Sequence, residues 1–299
     1  MPLPTDRDKA VSAIKQRVIR NYPSLWKRLI SHWQQNSTTI QPLDDQHGSP
    51  LDRGWLIYAA NYLFCTNNIR WAIDPFTIYT RLNLLPPFDL AADLQSLDFV
   101  LLTHKHADHL DLPLIRSLAK YPIRWVIPEF LLPLLEDCHL DPHWIIVPQV
   151  MEPIQFQHLT ITPFEGLHRH TTPDGVLRGV PAMGYHVSSG SKTWLFPGDT
   201  RSHHPEKIPA FPPADIVFAH LWLGKACADM PLPPKVEDFC RFFLALQPKR
   251  LFITHLHEIG RVPNEFWGAR HYNLVKTRIK QLNPNLPVSR VQIGQFFPL

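Results

Sequence analysis

The chain has 299 residues, of which 44% are hydrophobic and 19% charged, with a formal net charge of +4. This composition excludes a disordered chain and leaves enough length for one large domain or two small ones. Charge is uneven: residues 1–30 hold seven Lys/Arg against two Asp/Glu, residues 241–299 hold nine against two, and the middle is acidic. A basic periphery around an acidic centre is compatible with a metal site fed by an anionic substrate, although solvated helix faces are the simpler account.

Residues 7–35 predict two short helices. Val11, Ile14, Val18 and Tyr22, then Trp26, Leu29, Ile30 and Trp33, recur at helical spacing, with Pro23 breaking the run and Ser24 able to cap the second helix. The segment SLWKRLISHW is either a helix packed on the main domain or one that touches a membrane surface. Residues 36–50, ending in HGSP, read as a linker. The expected organisation is an N-terminal helical extension and linker over residues 1–50, then one domain over 51–299. With 31 prolines the domain should be built from short elements.

From residue 55 the pattern turns to strands. WLIYAANYLFCT and IRWAIDPF read as two paired strands with Asn67-Asn68 as the turn. LDFVLLTH is a buried strand, and DHLDLPLIRSLAK a helix with Asp108 near its N-cap. IRWVIP and HWIIVP are further strands flanking the helical EFLLPLLEDC, and IQFQHLTITPF alternates as a strand. AMGYHVSSGSKTWLFPGD reads as a hairpin, and ADIVFAH and PKRLFITH as short buried strands separated by a helix near 235–246. Strands first and strand–helix alternation after, in two rounds, predict an α+β fold: two sheets packed face to face with helices outside, a four-layer αββα sandwich.

The stretch LLTHKHADHLD crowds His104, His106, Asp108 and His109 behind an apolar strand. In an extended chain His104 and His106 point to one side, and the turn into the next helix aims Asp108 and His109 at a neighbouring point, so one loop can serve two metal ions. Four ligands cannot close two coordination spheres. Further candidates follow other strands: Asp74 in AIDPF, His168 and His170 in GLHRH, Asp199 in FPGDT, His220 in VFAH, and His255 and His257 in THLHE. His168 is preferred over His170, and His255 over His257 for its strand-end position. His203 and His204, after GDTRS, read as surface residues.

HKHADH resembles the HxHxDH signature of the metallo-β-lactamase superfamily. The flanking LLTHKHADHLD with Asp111, WLFPGDT and DIVFAHLWLGKACADMP resemble the branch that includes ascorbate-6-phosphate lactonase and the phospholipase D acting on N-acyl-phosphatidylethanolamine. The resemblance spans roughly residues 53–260 and implies the αββα sandwich with a binuclear site for two divalent ions, zinc foremost, with manganese or iron as alternatives. Carried over, His104, His106 and His168 bind one metal, Asp108, His109 and His255 the other, and Asp199 bridges. Asp74, Asp111 and His220 are then supporting or substrate-facing residues. Asp108 orients and deprotonates a water that the metals activate as hydroxide. A carboxylate at 199, where β-lactam-opening members typically carry Cys, argues against antibiotic hydrolysis.

The implied function is hydrolysis of a phosphodiester, lactone or other ester-like small molecule, anionic or lipid. A phospholipase D-like lipid hydrolase, a nuclease, a di-iron redox protein and a non-catalytic binding protein of the same fold are the alternatives. GSKT at 190–193 is not a phosphate-binding loop, since Ser191 stands where Gly is needed, and no zinc-finger or RNP-like pattern supports a nucleic-acid module. Cys65, Cys138, Cys227 and Cys240 show no CxxC spacing and suggest reduced thiols. No apolar run reaches the ~18 residues of a membrane span, and MPLPTDRDKA lacks the apolar core of a signal peptide. A cytoplasmic location is expected. The sequence is silent on oligomeric state.

Overall fold

The computed structural model describes residues 5–35, 52–172, 175–190 and 192–299. In chain order, helix α1 (Asp6–Gln34) precedes strands β1 (Asp52–Leu56), β2 (Tyr62–Thr66) and β3 (Ile69–Ile73), helices α2 (Ile78–Leu82) and α3 (Leu90–Leu94), strand β4 (Phe99–Leu101), helix α4 (Leu112–Leu118), strand β5 (Arg124–Val126), helix α5 (Leu132–Leu135) and strand β6 (Ile145–Ile146). The strands β7 (Ile154–Phe156), β8 (Leu159–Glu165), β9 (His170–Thr171), β10 (Leu177–Arg178), β11 (Met183–Ser189), β12 (Lys192–Phe196) and β13 (Ile216–His220) follow. The chain ends with α6 (Val236–Ala245), β14 (Leu251–Thr254), α7 (Ala269–Leu282), β15 (Val288–Arg290) and β16 (Phe296–Pro298). The linker expected over residues 36–50 lies outside the described residues. The fold is mixed α/β with two large sheets. Clustering of contacts divides the chain into a first unit, Tyr22–Ile154 with Gln292–Leu299, and a second, Met1–Asn21 with Gln155–Val291.

The first unit holds a seven-stranded sheet in the order β16-β1-β2-β3-β4-β5-β6. Pairing is antiparallel from β16 to β3 and parallel from β3 to β6. The β2–β3 hairpin turns on Asn67 and Asn68, both at positive φ, as a two-residue turn requires. Phe64 stacks on Trp71 at 4.0 Å, Trp71 on Phe99 at 5.6 Å, and Phe297 meets Phe64 edge-on at 6.2 Å. A Cβ on Gly54 would stand 2.2 Å from the Phe297 ring, so only glycine lets β16 lie this close to β1. Against expectation, the N-terminal helix does not break at Pro23, which lies inside α1. An interior proline costs about 3 kcal/mol. The buried stripe of Tyr22, Trp26, Leu29, Ile30 and Trp33 continues in register past it and outweighs that cost. The stripe is pinned by Trp33 Nε1 donating to the Phe64 carbonyl at 3.0 Å and Trp26 Nε1 to Asp93 at 2.6 Å. The apolar face of SLWKRLISHW is thus buried.

The second unit holds a seven-stranded sheet in the order β15-β14-β13-β12-β11-β8-β7. The run from β12 to β15 is parallel, while β11 is antiparallel to both β8 and β12. IQFQHLTITPF is two strands, turning at Gln157 with φ +52°. Helices α6 and α7 bury Phe239, Phe242, Phe243, Val275 and Ile279 in one cluster with Val217, Leu251 and Ile253 of the sheet. Helix α7 has no counterpart among the elements expected from the sequence. At its start His271 Nδ1 accepts from the Gly268 N–H at 3.0 Å while Nε2 meets the Ala228 carbonyl at 2.8 Å. Both nitrogens are committed to the neutral ring, and burial pushes its pKa down to about 4. Among the described residues no helix is long and apolar enough to cross a membrane.

Two outcomes follow. Trp33→Ala should cost about 3–5 kcal/mol, read as a fall in melting temperature of the chelator-treated protein. For His271 the folded value lies below the ordinary 6.5, so its contribution is complete above pH 6.5 and falls away as pH drops toward 4, by at most about 3 kcal/mol. His271→Gln should therefore flatten the drop in melting temperature between pH 7 and 5; an unchanged slope refutes this assignment.

Candidate metal centre

In the first unit β3 and β4 are parallel neighbours, so Asp74 and Thr103 leave the sheet at the same edge. Asp74 sits at φ +44°, buried, its backbone N–H donating to the Leu101 carbonyl at 3.0 Å. Its Oδ1 accepts from the Thr103 N–H at 2.7 Å, and its Oδ2 accepts from the Thr103 hydroxyl and faces His109 Nδ1 at 2.7 Å. These bonds assign tautomers. A carboxylate can only accept, so His109 carries its proton on Nδ1. The Thr103 hydroxyl spends its single proton on Asp74, so it accepts from His104 Nδ1 at 2.9 Å. In both imidazoles Nε2 therefore carries the lone pair that a metal needs.

The rest of the loop is held as closely. Asn61 Nδ2 donates to the carbonyls of Asp74 at 2.8 Å and Asp108 at 2.9 Å, tying two turns together. The His104 ring lies 4.1 Å from His109 and 4.9 Å from His106. Asp108 is buried with its carboxylate 3.9 Å from His109 Nε2. The N-cap of α4 is Asp111, not Asp108: Asp111 accepts from the Leu114 N–H at 3.0 Å and from the Thr80 hydroxyl. Pro113 in the first helical turn places the helix start there. Burial raises the Asp111 pKa.

In the second unit four strands deliver polar side chains to one edge. The strands β12, β13 and β14 are parallel, and β8, antiparallel to β11, runs with them. Asp199, His255 and His168 follow the C-terminal ends of β12, β14 and β8, and His220 is the last residue of β13. Asp199 Oδ1 lies 3.0 Å from His220 Nδ1 and 3.4 Å from His255 Nδ1. Its Oδ2 lies 3.2 Å from Arg201 Nη2 and 4.0 Å from His168 Nε2. One buried carboxylate thus faces three imidazoles and a guanidinium. His168 Nδ1 accepts from the Val180 N–H at 3.3 Å. That places its proton on Nε2, and the two nitrogens must exchange roles if Nε2 is to take a metal.

The alternative histidines have other neighbours. His170 lies 6.4 Å from the Trp222 ring. His257 packs against Phe266 at 5.9 Å, and burial, aided by the Arg290 and Arg17 charges, pushes its pKa down to about 4. His203, expected at the surface, is half-buried: it packs among Trp222, Phe239 and Phe242, and burial lowers its pKa to about 4. His204 is exposed and pairs with Glu206. Asn61, Thr103, Arg201 and Glu258 were missed. Thr103, Arg201 and Glu258 adjoin quoted motifs, in THKHADH, GDTR and THLHE, and that adjacency was the available signal. Arg201 also lies 4.5 Å over the Trp222 ring. Asn61 offered none.

This chain belongs to the metallo-β-lactamase superfamily: the profile described as a beta-lactamase superfamily domain matches residues 70–256. No curated protein sequence matches it. Among solved structures it is similar to Igni18, a metallo hydrolase from Ignicoccus hospitalis, at TM-score 0.60 and 16% identity over 83% of this chain and 98% of that one. It is similar to isothiocyanate hydrolase from Delia radicum gut bacteria at TM-score 0.60 and 20% identity, over 83% and 98%. It also resembles CmlA, a diiron β-hydroxylase from Streptomyces venezuelae, at TM-score 0.60 and 15% identity, over 87% of this chain and 55% of that one. At these identities the likeness is one of fold.

Removing the Asp74 carboxylate strands the buried donors of Thr103 and His109. Asp74→Ala should cost about 3–5 kcal/mol and Thr103→Val about 1–3 kcal/mol, in that order. Melting of the chelator-treated proteins checks both, and equal losses would deny Asp74 its central place.

Proposed function

We propose that the protein is a binuclear metal-dependent hydrolase of a phosphodiester, lactone or other ester-like substrate. The observation that carries the reading is Asp199, a buried carboxylate facing three imidazoles from three other strand ends. In this reading His104, His106 and His168 hold one divalent ion, Asp108, His109 and His255 hold the other, and Asp199 serves both. The donors fit such ions: they are imidazole and carboxylate, nearly all buried, and His104 and His109 have their Nε2 lone pairs set by Asp74 and Thr103. Imidazole-rich sets favour zinc, and manganese or iron use the same donors.

Bound there, the ions would supply Lewis acidity, bringing the pKa of water toward neutrality and drawing charge from the bond to be cut. Asp108 orients the attacking water and accepts its proton. His220 and Arg201 keep the Asp199 carboxylate in place. The Arg201 guanidinium on the face of Trp222 gives a cation beside an aromatic surface, which suits an anionic small molecule or lipid headgroup. The motif resemblance to ascorbate-6-phosphate lactonase and the N-acyl-phosphatidylethanolamine phospholipase D supports the same class. All these ligands fall in residues 51–299, the proposed hydrolase domain. Four buried free cysteines support a cytoplasmic location.

Metal analysis and a panel of bis-p-nitrophenyl phosphate, lactones and esters test the proposal together. The zinc-loaded protein should turn over at least one class. Asp108→Ala should lower the rate by about 10²-fold or more with only a modest fall in the melting temperature of the chelator-treated protein. His168→Ala should lose bound metal and His170→Ala retain it; equal loss reverses that assignment. Stoichiometric iron with no hydrolysis would favour redox chemistry, and a zinc-loaded protein inert on every substrate would favour a binding role.

A further inference from the structure

Glu258 is a buried carboxylate to which the reading above gives no task. It lies in the turn after β14, 4% exposed. Its Oε2 stands 3.3 Å from His255 Nε2 and 2.6 Å from Arg261 Nε. The other nitrogen of the same ring, His255 Nδ1, stands 3.4 Å from Asp199 Oδ1. Each ring nitrogen therefore faces a carboxylate.

A neutral imidazole has one N–H and one lone pair. Only one carboxylate can take the N–H, and the other meets a lone pair, an arrangement that a cation between them relieves. The two carboxylates are not equivalent. Asp199 Oδ1 already has His220 Nδ1 at 3.0 Å, and three further nitrogens surround the group. Glu258 is held by a frame of its own. The Arg261 N–H donates back to the Glu258 carbonyl at 3.4 Å, Lys15 Nζ donates to the Arg261 carbonyl at 2.5 Å, and Arg261 Nη1 reaches Glu265 at 3.8 Å. That frame stands whether or not His255 engages it. His255 needs such a hold, because it leaves β14 at φ +62°, where a non-glycine residue is strained.

We infer that Glu258 is a positioning residue that accepts the Nε2–H of His255 and so presents Nδ1 as the lone-pair donor to a metal on the Asp199 side. The inference rests on the reading under Proposed function. It extends to the second unit the device that Asp74 supplies in the first, a carboxylate setting a ligand imidazole's tautomer from behind. Losing such a partner typically lowers metal affinity about 10–100-fold.

The test uses the full chain, stripped with chelator and titrated with Co²⁺, in wild type, Glu258→Ala, Glu258→Gln and Arg261→Met. Visible absorption and metal content report occupancy, and melting of the metal-free proteins reports structure. Wild type should take up two cobalt ions. Glu258→Ala should weaken one of them about 10–100-fold and alter its absorption bands. Glu258→Gln, whose amide oxygen still accepts the Nε2–H, should restore most of the affinity, and Arg261→Met should fall between wild type and Glu258→Ala. If Glu258→Ala binds both ions as wild type does, the inference is overturned. It is equally overturned if Glu258→Ala, Glu258→Gln and Arg261→Met lose affinity together and in proportion to metal-free melting temperature, since Glu258 would then only close the turn. A wild-type chain that takes up no cobalt sinks the metal reading itself, and this inference with it; a wild-type chain with two ions separates the cases.

Discussion

The Asp74 carboxylate accepts from the Thr103 backbone, the Thr103 hydroxyl and the His109 ring, from a residue held at positive φ. A left-handed non-glycine residue costs on the order of 1–3 kcal/mol, and three buried hydrogen bonds to a charged acceptor offset that. The parallel pairing of β3 with β4 is what makes the arrangement reachable, because it brings the residues after both strands to one edge. Remove that pairing or that carboxylate, and nothing else described for the first unit would set which nitrogen of His104 and His109 carries the proton.

Asp199 shows the complementary constraint. Three imidazoles and a guanidinium face one negative charge, and they arrive from the ends of β8, β13 and β14 and from the segment after β12. Neutral imidazoles with a proton directed at the carboxylate stabilise it, whereas those presenting a lone pair call for a cation. Of the three imidazoles His220 stands nearest, its Nδ1 3.0 Å from Asp199 Oδ1, while His255 Nδ1 lies at 3.4 Å and His168 Nε2 at 4.0 Å.

Much of this was legible in the sequence, for a physical reason: a polar residue directly behind a short apolar strand has few places to go. THKHADH, AIDPF, FPGDT, VFAH and FITH all follow that rule, and so the two sheets and the edge residues could be read. What stayed hidden depends on neighbours distant in sequence. Proline at 23 reads as a break until the packing of Trp26 and Trp33 is known. Asn61 looks like any asparagine until its amide is seen joining two carbonyls. The helix α7 was legible in principle, since Tyr272, Val275 and Ile279 recur at helical spacing, but its many charges and the glycine before it masked the stripe. The cap on α4 was misplaced by one turn because two aspartates compete in DHLD, and Pro113 was the decisive signal.

The outermost strand of the first unit's sheet carries a consequence for biogenesis. Arg53, Gly54 and Trp55 of β1 pair with Pro298, Phe297 and Phe296. On a ribosome, β1 emerges long before its partner, and until then its hydrogen-bonding edge has no cover from β16. An uncovered edge of this kind is a template for mispairing between nascent chains, and closing so long a loop is slow. A chaperone that shields hydrophobic strand edges during translation would therefore influence yield more than the stability of the finished molecule suggests.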